Sequence, residues 1–310
     1  MILTVTANAS VDITYVLDDL RQGTVNRVDD VTKTAGGKGL NVSRVLNQVG
    51  ADLVATGIVG GTTGEFIERQ LDAKGIGHDF FHVHGESRNN ISIVCQGATT
   101  EILEKGSGIT ASEAHGFESF FEQIVDKADT VSISGSLPKG LDSGTYARLI
   151  RIASEMGKRS ILDASGEALR CALEAPVKPW LIKPNQDELA FLLGTEIPGN
   201  DEALMALLDS SLFDGVSCIV LTLGADGALV RASEGFYRVR VPSGKRVNPV
   251  GSGDSVIAGM SLGIDRGESL LEIIRRGMTY GVLNALDSMP GHLALSRFDE
   301  ISSGVVIERL

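Results

Sequence analysis

The hydrophobic pattern after residue 110 alternates between short apolar segments and longer amphipathic ones. The short segments resemble buried strands, and the longer ones carry apolar residues at helical spacing. Strands separated by helices of roughly 8–16 residues form βαβ crossovers and a mainly parallel sheet. We predict helices over 111–126, 142–156, 167–173, 186–193, 201–212, 256–264 and 270–286, and strands over 130–134, 160–163, 180–183, 218–223 and 236–241.

The first third of the chain departs from this alternation, because three strand-like segments precede any helix. A helix then opens at 35–39 and carries an apolar stripe at Val42, Val45, Leu46 and Val49. We predict a further helix over 64–73 and strands over 2–6, 11–17, 24–34, 53–59, 80–83, 90–96 and 99–103.

The early strands and the hairpin around Gly97-Ala98 fit poorly into a β/α alternation, so we predict that they form a small lid outside the main sheet. The lid is discontinuous and spans roughly 10–34 and 87–104. No internal repeat or Pro/Ser-rich linker divides the rest. One domain over 1–310, with the lid inserted in it, explains the pattern better than two domains.

Composition narrows the possible functions. The net charge of -12 disfavours a broad surface for nucleic acid or anionic membranes, so a bound phosphate needs local Lys, Arg, backbone N–H or a metal. Cys95, Cys171 and Cys218 have no paired spacing, which favours reduced thiols in a cytoplasmic protein. The first residues lack the features of a signal peptide, and no apolar run reaches membrane-spanning length.

The stretch from Asn248 to Ser255 joins a strand-like segment to a helix and carries the strongest chemical signal. Gly251 and Gly253, with Ser252 between them, leave room for an anion at the N–H groups of the first helical turn. Asp254 beside such a turn has two interpretations. It is a general base that accepts a proton from an attacking hydroxyl, or it merely favours the positive end of a helix capped by Ser252.

A second glycine-rich turn, Gly36 to Asn41, also opens a helix. It lacks the spacing of a Walker A loop, and Gly57 to Gly64 lacks the dinucleotide fingerprint. Asn41 is a polar residue just inside an apolar-striped helix, which favours a functional role. Arg27, Lys38 and Arg88 are either solvated surface cations or, if the lid brings them together, a phosphate clamp.

Two further turns have both a structural and a functional interpretation. Asn185 and Glu188 fit a capping box, which we favour locally, but they also fit a hydrated Mg²⁺ site, and both roles are compatible. The segment 222–228 fits a hairpin with its turn at Asp226-Gly227, or a small-residue wall beside a nucleotide.

These turns, in this order, resemble those of the ribokinase-like carbohydrate kinases, also called PfkB. The N-terminal signature is matched by Gly36 to Ser43 and the C-terminal signature by Asn248 to Met260. Two long motifs roughly 200 residues apart are far more specific than either alone. The resemblance implies an α/β fold of three layers, α/β/α, with a mainly parallel central sheet and a small β-lid that often mediates dimerisation.

The resemblance also implies roles for individual residues. It implies that Asp254 is the base and that Gly251, Ser252 and Gly253 form the anion hole with it. The other implied roles are sugar hydroxyl binding by Asp12, Gly37 and Asn41, sugar phosphate binding by Arg27, Lys38, Arg88 and Ser136, ATP binding by Lys183, Thr222, Gly224, Gly227 and Asn284, and a place near Mg²⁺ for Asn185 and Glu188.

Within this family the motifs are most similar to those of the tagatose-6-phosphate kinases, in the branch that also holds the 1-phosphofructokinases. The implied activity is ATP- and Mg²⁺-dependent phosphorylation of D-tagatose 6-phosphate in lactose and galactose breakdown, by a cytoplasmic homodimer. Phosphorylation of fructose 1-phosphate and a non-catalytic sugar-phosphate-binding regulator are the alternatives. The chain departs from the family pattern at Ala9, Ile91 and Ser252, which affects substrate preference more than phosphoryl transfer.

Overall fold

The computed structural model of the chain describes residues 1–244, 247–287, 289 and 291–310. Its strands are β1 Ile2–Thr6, β2 Ser10–Leu17, β3 Asp30–Gly36, β4 Leu53–Gly60, β5 Phe81–Val83, β6 Arg88–Cys95, β7 Ala98–Leu103, β8 Thr130–Ser134, β9 Arg159–Asp163, β10 Leu181–Ile182, β11 Cys218–Thr222, β12 Ala228–Ala232, β13 Gly235–Arg240 and β14 Val306–Arg309. Its α-helices are α1 Lys38–Gln48, α2 Gly61–Ala73, α3 Ala111–Val125, α4 Thr145–Glu155, α5 Gly166–Glu174, α6 Gln186–Leu193, α7 Asp201–Leu208, α8 Ser252–Asp265, α9 Leu270–Ala285 and α10 Phe298–Gly304.

Ten of the described strands form the main sheet, in the order β14-β13-β12-β11-β10-β9-β8-β1-β4-β5. The strands from β11 to β5 are parallel, and β12, β13 and β14 add an antiparallel edge. The predicted α/β fold with a mainly parallel sheet is confirmed. In such sheets the loops that leave the carboxyl ends of the strands meet along one edge, where ligands bind.

The helices cover both faces of this sheet because the buried strands are apolar on both sides. In β1, Ile2 packs with α1, α2, α8 and α9, whereas Leu3 and Val5 pack with α3 to α7. Thus the two faces carry two hydrophobic cores, which explains why the strand segments read as nearly continuous apolar runs. Among the described residues, no helix combines the length and the apolar character that crossing a membrane requires.

The other four strands form a small sheet in the order β3-β2-β6-β7. We call it the small sheet. It contains strands from both segments that the sequence assigned to a lid, and β2 joins them by pairing in parallel with β6. The hairpin between β6 and β7 turns at Gln96 (φ 50°) and Gly97 (φ 79°), one residue before the expected Gly97-Ala98. A two-residue turn of this kind needs positive φ at both positions, and Ala98 is already the first residue of β7.

Several element boundaries differ from the sequence prediction for local reasons. Residues 24–29 form a loop rather than the start of β3. Helix α4 begins at Thr145, because the Asp142 side chain accepts the Gly144 N–H at 2.8 Å and holds a turn ahead of the helix. Helix α10 and strand β14 were not predicted, and β14 is a largely exposed edge strand with a weak apolar signal.

Helices α8 and α9 pack through glycines that allow their backbones to approach closely. A Cβ atom on Gly259 would lie 2.8 Å from the carbonyl oxygen of Arg276 and 2.9 Å from the Cα of Gly277. A Cβ on Gly277 would in turn lie 2.5 Å from the Cγ of Met260. This contact sets the position of α8, the helix that carries Asp254.

The Gly259→Ala substitution tests this packing. Alanine normally stabilises a helix interior by about 1 kcal/mol relative to glycine. Here we expect a destabilisation of about 1–3 kcal/mol, because the added methyl group must push two backbones apart. Thermal unfolding measures the change. Gly199→Ala, an exposed position with nothing within 4 Å of the added Cβ, is the control and should leave Tm nearly unchanged. A higher Tm for Gly259→Ala would contradict the close approach.

Candidate active site

The turn that opens α8 has the geometry of an anion-binding site. Gly251 is the N-cap of the helix and has a left-handed conformation, φ 79°, that favours glycine. The N–H of Ser252 donates to Pro249 O at 3.2 Å. The N–H groups of Gly253 and Asp254 precede the regular helical hydrogen bonds, so they are available to an anion.

Asp254 lies in this first turn, and only 7% of its surface is exposed. Burial, with a smaller contribution from the Asp163 carboxylate, raises the pKa of the Asp254 carboxyl group from 3.8 to about 6. The side chain of Asn41 limits this rise by donating from Nδ2 to Oδ2 at 2.7 Å, and the ammonium groups of Lys38 and Lys183 also limit it. A carboxylate that is ionised at neutral pH but binds a proton readily is suited to general-base catalysis.

A network of buried charges lies next to this carboxylate. Asp163, at the carboxyl end of β9, accepts from Lys38 Nζ at 3.3 Å on both oxygens, and its Oδ1 lies 3.5 Å from Lys183 Nζ. Burial opposes the charge of Asp163, but the two ammonium groups outweigh it and lower the pKa of its carboxyl group. Burial likewise opposes the charge of Lys38, but Asp163, Glu188 and Asp254 raise its pKa. The network therefore keeps two cations beside the turn.

One of these cations reaches the anion-binding turn itself. A Cβ atom on Gly253 would lie 3.4 Å from Lys183 Nζ, so the ammonium group is in contact with this part of the turn. Sequence reasoning placed Lys183 among the nucleotide-binding residues but missed Asp163. The available signal was a carboxylate that ends an apolar strand of a parallel sheet.

The residues expected to contact a sugar lie at the junction of the two sheets. Asp12 Oδ1 accepts from Ser10 Oγ at 2.8 Å and from Asn90 Nδ2 at 3.1 Å, which fixes the carboxylate on the small sheet. Gly37 is the N-cap of α1 with φ 105°. Asn41, one turn later, reaches Asp254, so at least one of the three residues lies directly beside the candidate base.

The expected phosphate clamp is only partly assembled. Arg88 and Ser136 line one cavity of about 320 Å³, together with Asn8, Leu103, Glu104, Lys105, Leu137 and Lys139. Asn8 joins them, because its carbonyl oxygen accepts from Arg88 Nε at 3.3 Å and its Nδ2 donates to Ser136 Oγ at 3.2 Å. Lys38 belongs instead to the Asp163 network. Arg27 is exposed in the loop between β2 and β3 and has no hydrogen bond or ion pair within the described chain.

The residues expected at a nucleotide site divide into two groups. Thr222, Gly224 and Gly227 form the turn between β11 and β12, which closes through a short 3₁₀ segment, Gly224–Asp226, and is the predicted hairpin connection. A bridge pairs Asn185 with Thr222, so the turns that follow β10 and β11 are adjacent. These residues and Lys183 lie at the carboxyl ends of neighbouring strands.

Asn284, on α9, forms the second group. Its side chain is fully buried, and Nδ2 donates to Val250 O at 2.8 Å and to Ser252 Oγ at 3.2 Å. Its Oδ1 accepts from Gly291 N at 2.7 Å and from Ser255 Oγ at 3.2 Å. All hydrogen-bonding capacity of this amide is used within the protein, so Asn284 braces the anion-binding turn. Its expected place at the ATP site stays a prediction.

Asn185 and Glu188 form the capping box that the sequence favoured. Asn185 Oδ1 accepts from Glu188 N at 2.8 Å, and Glu188 Oε2 accepts from Asn185 N at 2.9 Å. Glu188 Oε1 lies 3.9 Å from Lys38 Nζ. No group of three or more His, Cys, Asp or Glu side chains in the described ranges is arranged to hold a metal. A single carboxylate with a nearby amide fits Mg²⁺ that keeps several waters and contacts a phosphate.

Together, these elements place a buried carboxylate, backbone N–H donors and two ammonium groups at one edge of the sheet. The donors and cations stabilise negative charge, and the carboxylate accepts a proton. Phosphoryl transfer to a hydroxyl group requires this combination.

Known proteins share this architecture. The sequence model described as pfkB family carbohydrate kinase matches residues 4–293. A candidate phosphofructokinase from Staphylococcus aureus is 33% identical, with a TM-score of 0.86, and the match covers 100% of this chain and 99% of that one. A candidate 1-phosphofructokinase from Thermotoga maritima is 27% identical, with a TM-score of 0.89 and coverage of 100% and 99%.

A third similar structure is phosphofructokinase-2 from Escherichia coli in complex with fructose-6-phosphate. It is 28% identical, has a TM-score of 0.86, and the match covers 97% of this chain and 98% of that one. The E. coli protein also has a tetrameric inhibited form.

The raised pKa of Asp254 predicts a pH-dependent effect of Asp254→Asn on stability. The folded-state pKa, about 6, lies above the ordinary 3.8, so the folded chain binds this proton more tightly than the unfolded chain. The resulting stabilisation is present at acid pH and is lost as pH rises through 6. We therefore expect the variant to gain stability relative to the original chain between pH 4 and pH 8, by at most about 3 kcal/mol.

Chemical denaturation at several pH values measures this difference. Asp30→Asn, which removes an exposed carboxyl group on β3, is the control and should show no such trend. Parallel stability curves for the original chain and Asp254→Asn would contradict the raised pKa.

Proposed function

Because the chain belongs to the pfkB family of carbohydrate kinases, we propose that it transfers the terminal phosphoryl group of ATP to the 1-hydroxyl group of D-tagatose 6-phosphate. The product is D-tagatose 1,6-bisphosphate. The single observation that carries the proposal is the buried Asp254 carboxylate, which lies in an anion-binding turn and is hydrogen-bonded to Asn41. A carboxylate is costly beside a phosphate site unless it has a role in the reaction.

In this proposal Asp254 accepts the proton of the 1-hydroxyl group as its oxygen attacks the γ-phosphorus. A new oxygen–phosphorus bond forms, and the bond from the γ-phosphorus to the β–γ bridging oxygen breaks, so that ADP leaves with that electron pair. The N–H groups of Gly253 and Asp254 and the ammonium of Lys183 stabilise the charge on the transferred phosphoryl oxygens.

The substrate phosphate binds at the other end of the site. Arg88 and Ser136, which share a cavity with Asn8, are suited to hold it, because a guanidinium binds phosphate through parallel hydrogen bonds. Asp12, Gly37 and Asn41 contact sugar hydroxyl groups, and Lys38 lies between the sugar and the Asp163 network. Arg27 contributes only if the loop between β2 and β3 moves towards the site. The small sheet acts as a lid that excludes water.

The nucleotide occupies the turns after β10 and β11, where Lys183, Thr222, Gly224 and Gly227 lie. Asn185 and Glu188 would hold Mg²⁺ through water molecules, and this ion would supply positive charge to the ATP phosphates. Val31 and Ile102, exposed apolar side chains on one face of the small sheet, support a homodimer formed through it. Three cysteines without a disulfide fit a cytoplasmic location.

A second candidate substrate has specific support. The similar structures include a candidate 1-phosphofructokinase and a phosphofructokinase-2 with bound fructose-6-phosphate. Fructose 1-phosphate and fructose 6-phosphate therefore compete with tagatose 6-phosphate as the physiological acceptor. A non-catalytic regulator is disfavoured by the intact base.

A coupled ADP-release assay with these three sugar phosphates tests the proposal. We expect the highest kcat/KM with tagatose 6-phosphate. We also expect turnover to fall as pH drops through about 6, because protonated Asp254 cannot accept the proton.

The Asp254→Asn substitution tests the role of the base. It should reduce kcat by at least ~10²-fold, the usual effect of losing a general base. Near-normal turnover in this variant would refute the mechanism, and preference for a fructose phosphate would reassign the substrate.

The Lys38→Ala substitution tests the sugar-phosphate side of the site. We expect KM for the sugar phosphate to rise by about tenfold or more, because a charged hydrogen bond contributes roughly 1.5–3 kcal/mol, while KM for ATP changes little. Lys127→Ala, an exposed position after α3, is the control and should match the original chain. An unchanged KM for the sugar phosphate would remove Lys38 from substrate binding.

A further inference from the structure

Arg44 lies on α1 close to the candidate base but has no role so far. It follows Asn41 by three residues, so both side chains share one face of the helix. Its Nη2 donates to Asn41 Oδ1, and Asn41 Nδ2 donates to Asp254 Oδ2 at 2.7 Å. The guanidinium, the amide and the carboxylate thus form a continuous chain of hydrogen bonds.

Arg44 carries a charge that is partly removed from water and incompletely hydrogen-bonded. Burial lowers the pKa of its guanidinium, although Asp12 and Asp254 oppose this effect. Its Nε is buried without a hydrogen-bond partner, and within the described residues Arg44 forms no ion pair closer than 4.0 Å. An incompletely paired, half-buried cation is costly, so packing alone is a poor reason for arginine here.

The chemistry of the three groups sets the direction of the chain. A guanidinium donates hydrogen bonds but cannot accept them, so Asn41 must turn its amide oxygen towards Arg44. The amide NH₂ then necessarily faces Asp254, whose ionised carboxylate only accepts. We propose that Arg44 is a positioning residue that holds the Asn41 amide in the orientation that binds and orients the base Asp254. This inference rests on the proposed kinase function and adds a residue to it.

Without Arg44, the Asn41 amide is free to rotate by half a turn. Its carbonyl oxygen would then face Asp254 Oδ2, and two acceptors in contact favour the protonated carboxyl group. The Asp254 carboxylate would be less available as a base at neutral pH, and its orientation would be less well fixed.

The other charged groups around Asp254 have different positions. Lys38 comes from α1, Asp163 from β9 and Lys183 from the end of β10, and all three act on Asp254 through charge. Asp12 on β2 acts on Arg44. Within the described chain, only Arg44 donates a side-chain hydrogen bond to the amide oxygen of Asn41, so its removal changes orientation as well as charge.

The test compares the pH–rate profile of Arg44→Met with that of the original chain. We expect the acid limb of the profile to move up by about one pH unit, which is a tenfold change in proton affinity. From a starting pKa of about 6, this shift lowers kcat at pH 7 about twofold and kcat near pH 5 about tenfold. KM for ATP should not change. Ser43→Ala is the matched control, because Ser43 is buried on the same helix and contacts Thr4 at 2.7 Å. It should lower stability slightly and leave the acid limb in place.

Two measurements separate positioning from general disruption. In an Asn41→Ala background, Arg44→Met should shift the acid limb less than it does in the original chain, because only the charge effect of Arg44 remains when Asn41 is absent. Carboxyl ¹³C NMR of the protein labelled at aspartate, with Asp254→Asn for assignment, reports the pKa of Asp254 without turnover. We expect it to rise in Arg44→Met.

The outcomes are distinct. If the acid limb and the Asp254 titration are both unchanged in folded Arg44→Met, the proposed role of Arg44 is overturned. If the original chain has no sugar-phosphate kinase activity, the proposed function is overturned instead. If Arg44→Met does not fold, Arg44→Leu, which also cannot donate a hydrogen bond to Asn41, is measured in the same way. A shift in the same direction supports positioning, and an unshifted limb overturns it.

Discussion

A buried carboxylate at the start of a helix is the constraint on which this structure depends. Asp254 loses most of its hydration, which disfavours its charge, and the nearby Asp163 disfavours it further. The surrounding elements offset this cost. The amide of Asn41 donates a hydrogen bond, the lysines from α1 and from the end of β10 supply positive charge, and the helix N-terminus adds its dipole.

The same constraint explains the arrangement of the helices around α8. The Asp254 carboxylate and the N–H groups suited to an anion belong to one turn, so any displacement of α8 moves the candidate base and the candidate phosphate site together. Close backbone contact with α9 at Gly259 limits such displacement. Asn284 adds a second restraint, because its amide bonds both to the turn before α8 and to the residues after α9. The glycines of α8 and α9 and Asn284 therefore affect the candidate site by holding α8, and with it Asp254, in place.

Much of the fold followed from local patterns. The apolar runs and helical stripes after residue 110 identified nearly every element, and the capping box at Asn185 was recognised from its residue types because both partners lie within one turn. The errors also have local causes. Residues 24–29 look extended but pair with no strand, and β14 is an exposed edge whose apolar signal is weak. The buried hydrogen bonds of Asn284 were not predicted, since burial of a polar side chain cannot be read from its neighbours in sequence.

By itself, the sequence determined the α/β alternation, the two glycine-rich turns and the candidate base Asp254, because these depend on residue type and short spacing. Only the tertiary structure decided which charges meet. Asp163 and Lys183 form an ion pair because their parallel strands bring their carboxyl ends to one edge of the sheet, and Lys38 reaches the same carboxylate from the first turn of α1. The structure likewise separated Arg27 from Arg88 and joined Arg44 to Asp254 through Asn41. Long-range convergence of this kind depends on packing of the whole chain, which local sequence patterns do not encode.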